Sequence, residues 1–209
     1  MELKEPPIRM GHPPPPKKRS RQRLFQIFLK FFLLLLIFTL SFHLSSFFPN
    51  FYDRERAIEE ILRVLEKHPT DLAEVTRKEL AEVIYEEANR YQYDPKLILA
   101  IIAIESSFQN WAVSEQGAKG LMQVMPYVAQ SIANELGIEW SGDRTLFNPY
   151  LNIKIGIYYL STLIVDFKDL RIALTAYNYG PTYVRDLLEK RQYIPSNFFK
   201  SVIDVYHTI

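Results

Sequence analysis

The chain of 209 residues contains no cysteine. That removes disulfides, thiolate metal sites, thiol catalysis and lipid attachment through a cysteine, although it leaves the redox compartment open. Charge of one sign is also missing. Twenty-five Lys and Arg face 24 Asp and Glu, which argues against a nucleic-acid partner, because such a domain is strongly basic. The four histidines, at positions 12, 43, 68 and 207, are too far apart in sequence to suggest a metal cluster, so neither a metal nor a cofactor is expected. No segment alternates apolar and polar residues in the manner of a strand, and no internal repeat is visible. What remains is a chain that is 48% hydrophobic, enough to bury a core, with helical periodicity over most of its length.

The charge balance is uneven along the chain. Before residue 31 the basic residues Lys4, Arg9, Lys17, Lys18, Arg19, Arg21, Arg23 and Lys30 are opposed only by Glu2 and Glu5. Residues 1–23, with Pro13 to Pro16 in a row, cannot bury a core and are expected to form a cytoplasmic basic tail. An apolar run follows. From Phe31 to Phe48 there is no Asp, Glu, Lys or Arg, and 18 residues of helix at about 1.5 Å each give about 27 Å, close to a hydrocarbon core of roughly 30 Å. Lys30 at its entrance can snorkel to the headgroups. We therefore expect a transmembrane signal anchor over residues 24–48 with the amino terminus inside. A cleaved signal peptide is the competing reading, but the exit SFHLSSFFPN has no Ala-x-Ala pattern.

Past Pro49 the pattern predicts an all-α arrangement. Residues 49–75 read as a juxtamembrane helix or linker, with Asp53 capping a helix to about His68. Residues 76–209 read as the folded domain. Its expected helix starts are a capping box of Thr76 with Glu79, the caps Asp94, Asn148 and Asp169, the prolines Pro126 and Pro181, and Ser196. Gly137 and Gly180 are expected helix stops.

Three places could carry chemistry. In LILAIIAIESS, eight of the ten residues from Leu97 to Ser106 are apolar, which makes this helix central and places Glu105 in its last turn. A glutamate there is either structural, paired or exposed at the helix end, or an acid whose proton is retained by desolvation. Such an acid can protonate a glycosidic oxygen at neutral pH. The polar loop QNWAVSEQGAKGLMQVMP offers tight turns at Gly117 and Gly120, adaptable apolar surface at Met122 and Met125, and the amide of Gln123; it could line a sugar groove or be an ordinary connection. In ALTAYNYGP, Tyr177 and Asn178 end a helix. Their hydroxyl and amide could hold a carboxyl and an acetamido group, or Tyr177 could be a core aromatic with a satisfied hydroxyl.

Taken together, Glu105-Ser106, then Gly120-Leu121-Met122-Gln123, then Ala176-Tyr177-Asn178 resemble, in order and spacing, the signature motifs of soluble-lytic-transglycosylase-type domains, the family 23 glycosidases. NPYLNIKIGIYYLSTL adds Asn152, Gly156, Tyr159 and Leu160 in a pattern similar to the family's, and the resemblance covers about residues 80–192. It implies a lysozyme-like helical fold and cleavage of the β-1,4 bond between N-acetylmuramic acid and N-acetylglucosamine in peptidoglycan. It further implies that Glu105 acts first as acid on the leaving oxygen. The acetamido group then assists at the anomeric carbon, and Glu105 acts as base on the muramoyl C6 hydroxyl, closing a 1,6-anhydro ring. By the same resemblance Tyr177 orients Glu105, while Ser106, Met122, Gln123, Tyr159 and Asn178 contact substrate. With the anchor, this places a single-pass protein in a bacterial inner membrane with its domain in the periplasm. Two alternatives stand beside it. A goose-type lysozyme-like hydrolase would need Glu115, Glu139 or Asp143 to activate a water. A non-catalytic peptidoglycan-binding scaffold of a cell-envelope machine would need no acid at all.

Overall fold

The structure, a computed structural model, describes residue 11 and residues 19–68, 70–72 and 74–209. Most of the tail expected over residues 1–23 lies outside them. The described residues form α1 (Arg19–Lys67), α2 (Glu74–Arg90), α3 (Pro95–Ser106), α4 (Pro126–Leu136), α5 (Asp143–Leu146), α6 (Pro149–Phe167), α7 (Leu170–Tyr179), α8 (Pro181–Glu189) and α9 (Asn197–Thr208). No strand occurs among them; two isolated bridges, Val113 with Lys119 and Lys119 with Val124, are the only β pairing. The domain is all-α, as its periodicity implied.

The chain divides into two compact units, Met1–Phe51 and Tyr52–Ile209. In the first, every large apolar side chain described from Leu24 to Phe38 is at least 48% exposed. Among the described residues no helix is long and apolar enough to cross a membrane. The side chains of residues 40–52, and with them the end of the expected span (40–48), lie outside the described residues.

The second unit is organised around α3 and α6. Leu97 to Ile102 of α3 are all buried, and the helix packs against α2 and α9. α6 buries Asn152, Ile153, Ile155, Gly156, Ile157 and Leu160 and packs against α2, α4, α5 and α7. Ile58, Ile61 and Leu65 at the end of α1 join the same core. A helix as apolar as α3 needs cover over most of its surface; its last turn, where Ile104 is exposed, leaves Glu105 half-buried at the edge of the core.

Side-chain caps open α3, α6 and α7. The Asp94 carboxylate accepts the Lys96 N–H at 2.9 Å, and Pro95 fills the first helical position, where no N–H is needed. Asn148 accepts from the N–H groups of Tyr150 and Leu151, and Asp169 from that of Ile172. Gly137 ends α4 at φ +66°, a left-handed stop. Two expected caps are corrected. α2 opens at Glu74, so Thr76 lies inside it; Glu79 instead accepts a hydrogen bond from the Tyr150 hydroxyl. Asp53 lies within α1 rather than at a helix start. In both cases the same residues fit a cap or a helix interior; for Glu79 the partner distant in sequence, Tyr150, decides. The four-residue α5 was not anticipated, being too short for periodicity to register.

Candidate active site

Glu105 occupies the last turn of α3, one position before the buried Ser106. Burial pushes its carboxyl up from the ordinary 4.5 to about 8, with desolvation the only cause. No hydrogen bond or ion pair reaches this carboxyl among the described residues. The contrast with Glu87 is informative. That carboxylate is 5% exposed, but it is flanked by Arg90 at 3.4 Å and Lys154 at 3.8 Å. A carboxyl withdrawn from water with no such partner holds its proton more tightly. Desolvation thus favours the protonated form of Glu105, one of the two readings that the apolar run around it left open.

The chain leaves α3 through two consecutive left-handed residues, Ser107 at φ +49° and Phe108 at φ +63°. Neither is glycine, and such a pair persists only where the surroundings hold it. The loop then folds back on itself. Gly120 donates to the Ala112 carbonyl at 3.0 Å, and Lys119 and Val124 exchange backbone hydrogen bonds at 3.1 Å. Gly120 is required for two reasons: its φ is +81°, and an added Cβ would meet the Leu146 carbonyl and the Asn152 amide. The Gln123 amide donates to the Gly120 carbonyl at 2.8 Å and to that of Ala112 at 3.1 Å. Its oxygen remains as an acceptor.

Met122 is the pivot. Its N–H donates to Asn152 Oδ1 at 2.8 Å, and its carbonyl accepts the Tyr177 hydroxyl at 2.8 Å. Asn152, fully buried, also donates to the carbonyls of Lys119 and Leu146, each at 3.0 Å. One amide thus ties the loop to α5 and α6. Gly156 completes the fit, because a Cβ there would lie 2.5 Å from Met122 Sδ and 2.8 Å from Met122 Cβ. The loop signal in the sequence pointed to Met122 and Gln123, and the family-like pattern to Asn152 and Gly156; that these two support the loop depends on packing across about thirty residues.

Tyr177 and Asn178 close the site from the end of α7. The Tyr177 ring is buried, its phenol is raised well above 10 by desolvation and by the nearby Glu105, and its hydroxyl is spent on Met122. Tyr159 of α6 lies against it, ring centroids 5.3 Å apart, with its own phenol pushed up to about 12 by burial. Ser106 donates its hydroxyl to the Ile102 carbonyl at 3.1 Å within α3. Asn178 is exposed, beside the exposed rings of Tyr179 and Tyr183. The structure thus links Met122, Gln123, Tyr159 and Tyr177 through direct contacts or shared partners and sets Glu105 close enough to Tyr177 to perturb it. Among the described residues no group of three or more His, Asp or Glu could hold a metal ion.

Of the carboxylates named for a hydrolytic alternative, Glu115, Glu139 and Asp143 are all exposed, and Asp143 pairs with Lys119.

Known proteins resemble this arrangement. The chain is 40% identical over 92 residues to the membrane-bound lytic murein transglycosylase C of Actinobacillus pleuropneumoniae serotype 5b, covering 43% of this chain and 25% of that protein. It is 33% identical over 139 residues to the protein of the same name from Shigella sonnei, covering 61% and 39%. It therefore spans well under half the length of these relatives. The 70 kDa soluble lytic transglycosylase of Escherichia coli superposes with a TM-score of 0.50 at 28% identity, over 63% of this chain and 26% of that one. The model of the transglycosylase SLT domain matches residues 82–197, more than half of the chain and every motif from Glu105 to Asn178. The chain belongs to the transglycosylase SLT domain family.

Proposed function

We propose that this protein is a peptidoglycan lytic transglycosylase in which Glu105 is the single acid and base. The observation that carries the reading is a carboxyl at the end of the central helix that keeps its proton to about pH 8 with no partner to neutralise it. Protonated Glu105 delivers its proton to the glycosidic oxygen between N-acetylmuramic acid and N-acetylglucosamine as that bond breaks. The substrate's acetamido oxygen occupies the anomeric carbon. The carboxylate left behind is destabilised by the same burial, so it is a competent base for the C6 hydroxyl of the muramoyl residue. Taking that proton restores the acid and lets C6–O displace the acetamido oxygen, closing the 1,6-anhydro ring. Atoms and protons balance with no water consumed.

Tyr177 serves this reaction by holding the Met122 carbonyl, and so the loop, beside the acid; Ser106, Gln123, Tyr159 and Asn178 contact the glycan, whereas Met122, expected to line the groove, is fully buried and supports the loop from inside. A hydrolase would need a second carboxylate aimed at a water, and the exposed positions of Glu115, Glu139 and Asp143 lend that reading no support. The folded unit, which takes in Ile58, Ile61 and Leu65 of the segment expected as a linker and so begins at Tyr52 rather than at residue 76, is carried on a transmembrane anchor over residues 24–48. The supports for the anchor are the uncharged run from Phe31 to Phe48 and the uncovered apolar side chains from Leu24 to Phe38. The basic residues before it place the amino terminus in the cytoplasm and the domain in the periplasm of a bacterial inner membrane. Digestion of purified peptidoglycan followed by mass spectrometry tests the reaction. The muropeptides should carry 1,6-anhydromuramoyl ends, lighter by one water than hydrolysed ends; mainly reducing ends would show a lysozyme-type hydrolase instead.

A further inference from the structure

The active-site loop is held from outside the family-matched span. After Glu105 the backbone passes through the left-handed pair Ser107 and Phe108, a disfavoured route for residues with side chains. Phe108 is fully buried, and the imidazole of His68 stacks on its ring, centroids 4.2 Å apart and planes 22° from parallel. Two residues further on, the Asp71 carboxylate accepts two backbone N–H groups, Asn110 at 2.9 Å and Trp111 at 3.3 Å. The next residue, Ala112, offers the carbonyl that receives both the Gln123 amide and the Gly120 N–H. His68 and Asp71 belong to the short connector between α1 and α2, before the matched residues 82–197 begin.

We propose that this connector positions the active-site loop, with Asp71 and His68 as positioning residues that fix the strained exit from α3 and, through Ala112, the seat of Gln123. The proposal rests on the reading of Glu105 as the acid. The physical case is one of over-determination. A left-handed pair of non-glycine residues relaxes unless neighbouring contacts forbid it. Here one ring stack and a two-armed carboxylate act on Phe108, Asn110 and Trp111, three of the four residues that follow the pair's start. Hydrogen bonds to an ionised acceptor are stronger than neutral ones, so Asp71 is the firmer of the two. Asp71 touches neither Glu105 nor Gln123, so its influence on turnover must pass through the backbone between them.

Asp71→Ala and Asp71→Asn in the full chain separate positioning from bulk stability. Asparagine retains a side-chain oxygen that can accept the Asn110 N–H; alanine retains none. Amide hydrogen exchange should show Asn110 and Trp111 losing protection in Asp71→Ala while the amides of α3 and α6 keep theirs. On purified peptidoglycan kcat should fall roughly 10-fold or more, since small misplacements can cost up to about 10²-fold, with little change in apparent KM. Asp71→Asn should recover most of both signals. Retained protection at Asn110 and Trp111, unchanged kcat in Asp71→Ala, or no recovery by Asp71→Asn would each overturn the proposal. Were the wild-type chain to release no muropeptides at all, the functional reading would fall, and the exchange measurement alone would decide whether Asp71 holds the loop.

Discussion

Replacing Glu105 by glutamine separates its chemical role from its structural one, because the two predict opposite signs. Glutamine keeps the shape and hydrogen-bonding reach but cannot deliver a proton. General acid–base catalysis contributes about 10²–10⁴-fold, and here one group supplies both transfers, so activity should fall by at least that range while glycan binding persists. Stability should move the other way. The folded protein holds the Glu105 proton to about pH 8, whereas the unfolded chain releases it near 4.5. Between these values the folded state binds more protons, so the wild type loses stability as pH rises through the window. At about 1.4 kcal/mol for each tenfold change in proton affinity the whole window amounts to at most about 5 kcal/mol. Water reaches this partly buried side chain, so a loss nearer 2 kcal/mol is expected. The glutamine variant has no such loss. Urea unfolding at pH 5 and pH 9 should show the variant gaining on the wild type by roughly 2 kcal/mol between the two, an amount that follows from the same proton-affinity difference. A difference that stays constant with pH, or reverses, would refute the argument that desolvation holds the proton. A folded, glycan-binding variant that still releases anhydro-muropeptides at near wild-type rates would refute the assigned role.

Wild-type turnover should fall as pH rises through about 8, because Glu105 must begin protonated; a rate that keeps rising to pH 9 would contradict this. Tyr177→Phe removes the hydroxyl that the Met122 carbonyl accepts, so thermal melts should show a loss of about 1–3 kcal/mol, the cost of leaving a buried acceptor unpaired, with a smaller fall in activity than for Glu105→Gln. Gly120→Ala combines a φ of +81° with a Cβ driven against Asn152 and the Leu146 carbonyl; chemical denaturation should report a loss of roughly 3 kcal/mol or more, from backbone strain added to overpacking. Deleting residues 24–48 should move the protein from the membrane fraction to the soluble fraction; recovery of the full chain in the soluble fraction would rule out the anchor.

What could be read without coordinates was local. Asp94-Pro95, Asn148-Pro149 and Asp169 announce helix starts because a cap needs only its next two or three residues, and all three begin helices where expected. The apolar run from Leu97 to Ile104 sufficed to place Glu105 on a central helix, but it left open whether the carboxyl is paired, exposed or desolvated, since that depends on what packs around the helix end. Other local readings were ambiguous in principle. Thr76 with Glu79 has the form of a capping box, yet Glu79 bonds Tyr150, 71 residues away, and only the packing of α2 on α6 decides between the two. Tyr177 shows the same limit. Its place near Glu105 follows from motif order, but its hydroxyl is bound to Met122, a partner 55 residues distant. The tertiary structure alone brings Asn152 and Gly156 against the loop, and Asp71 and His68 against its first residues. Those contacts depend on which helix faces which, and that choice is made by the burial of whole faces together.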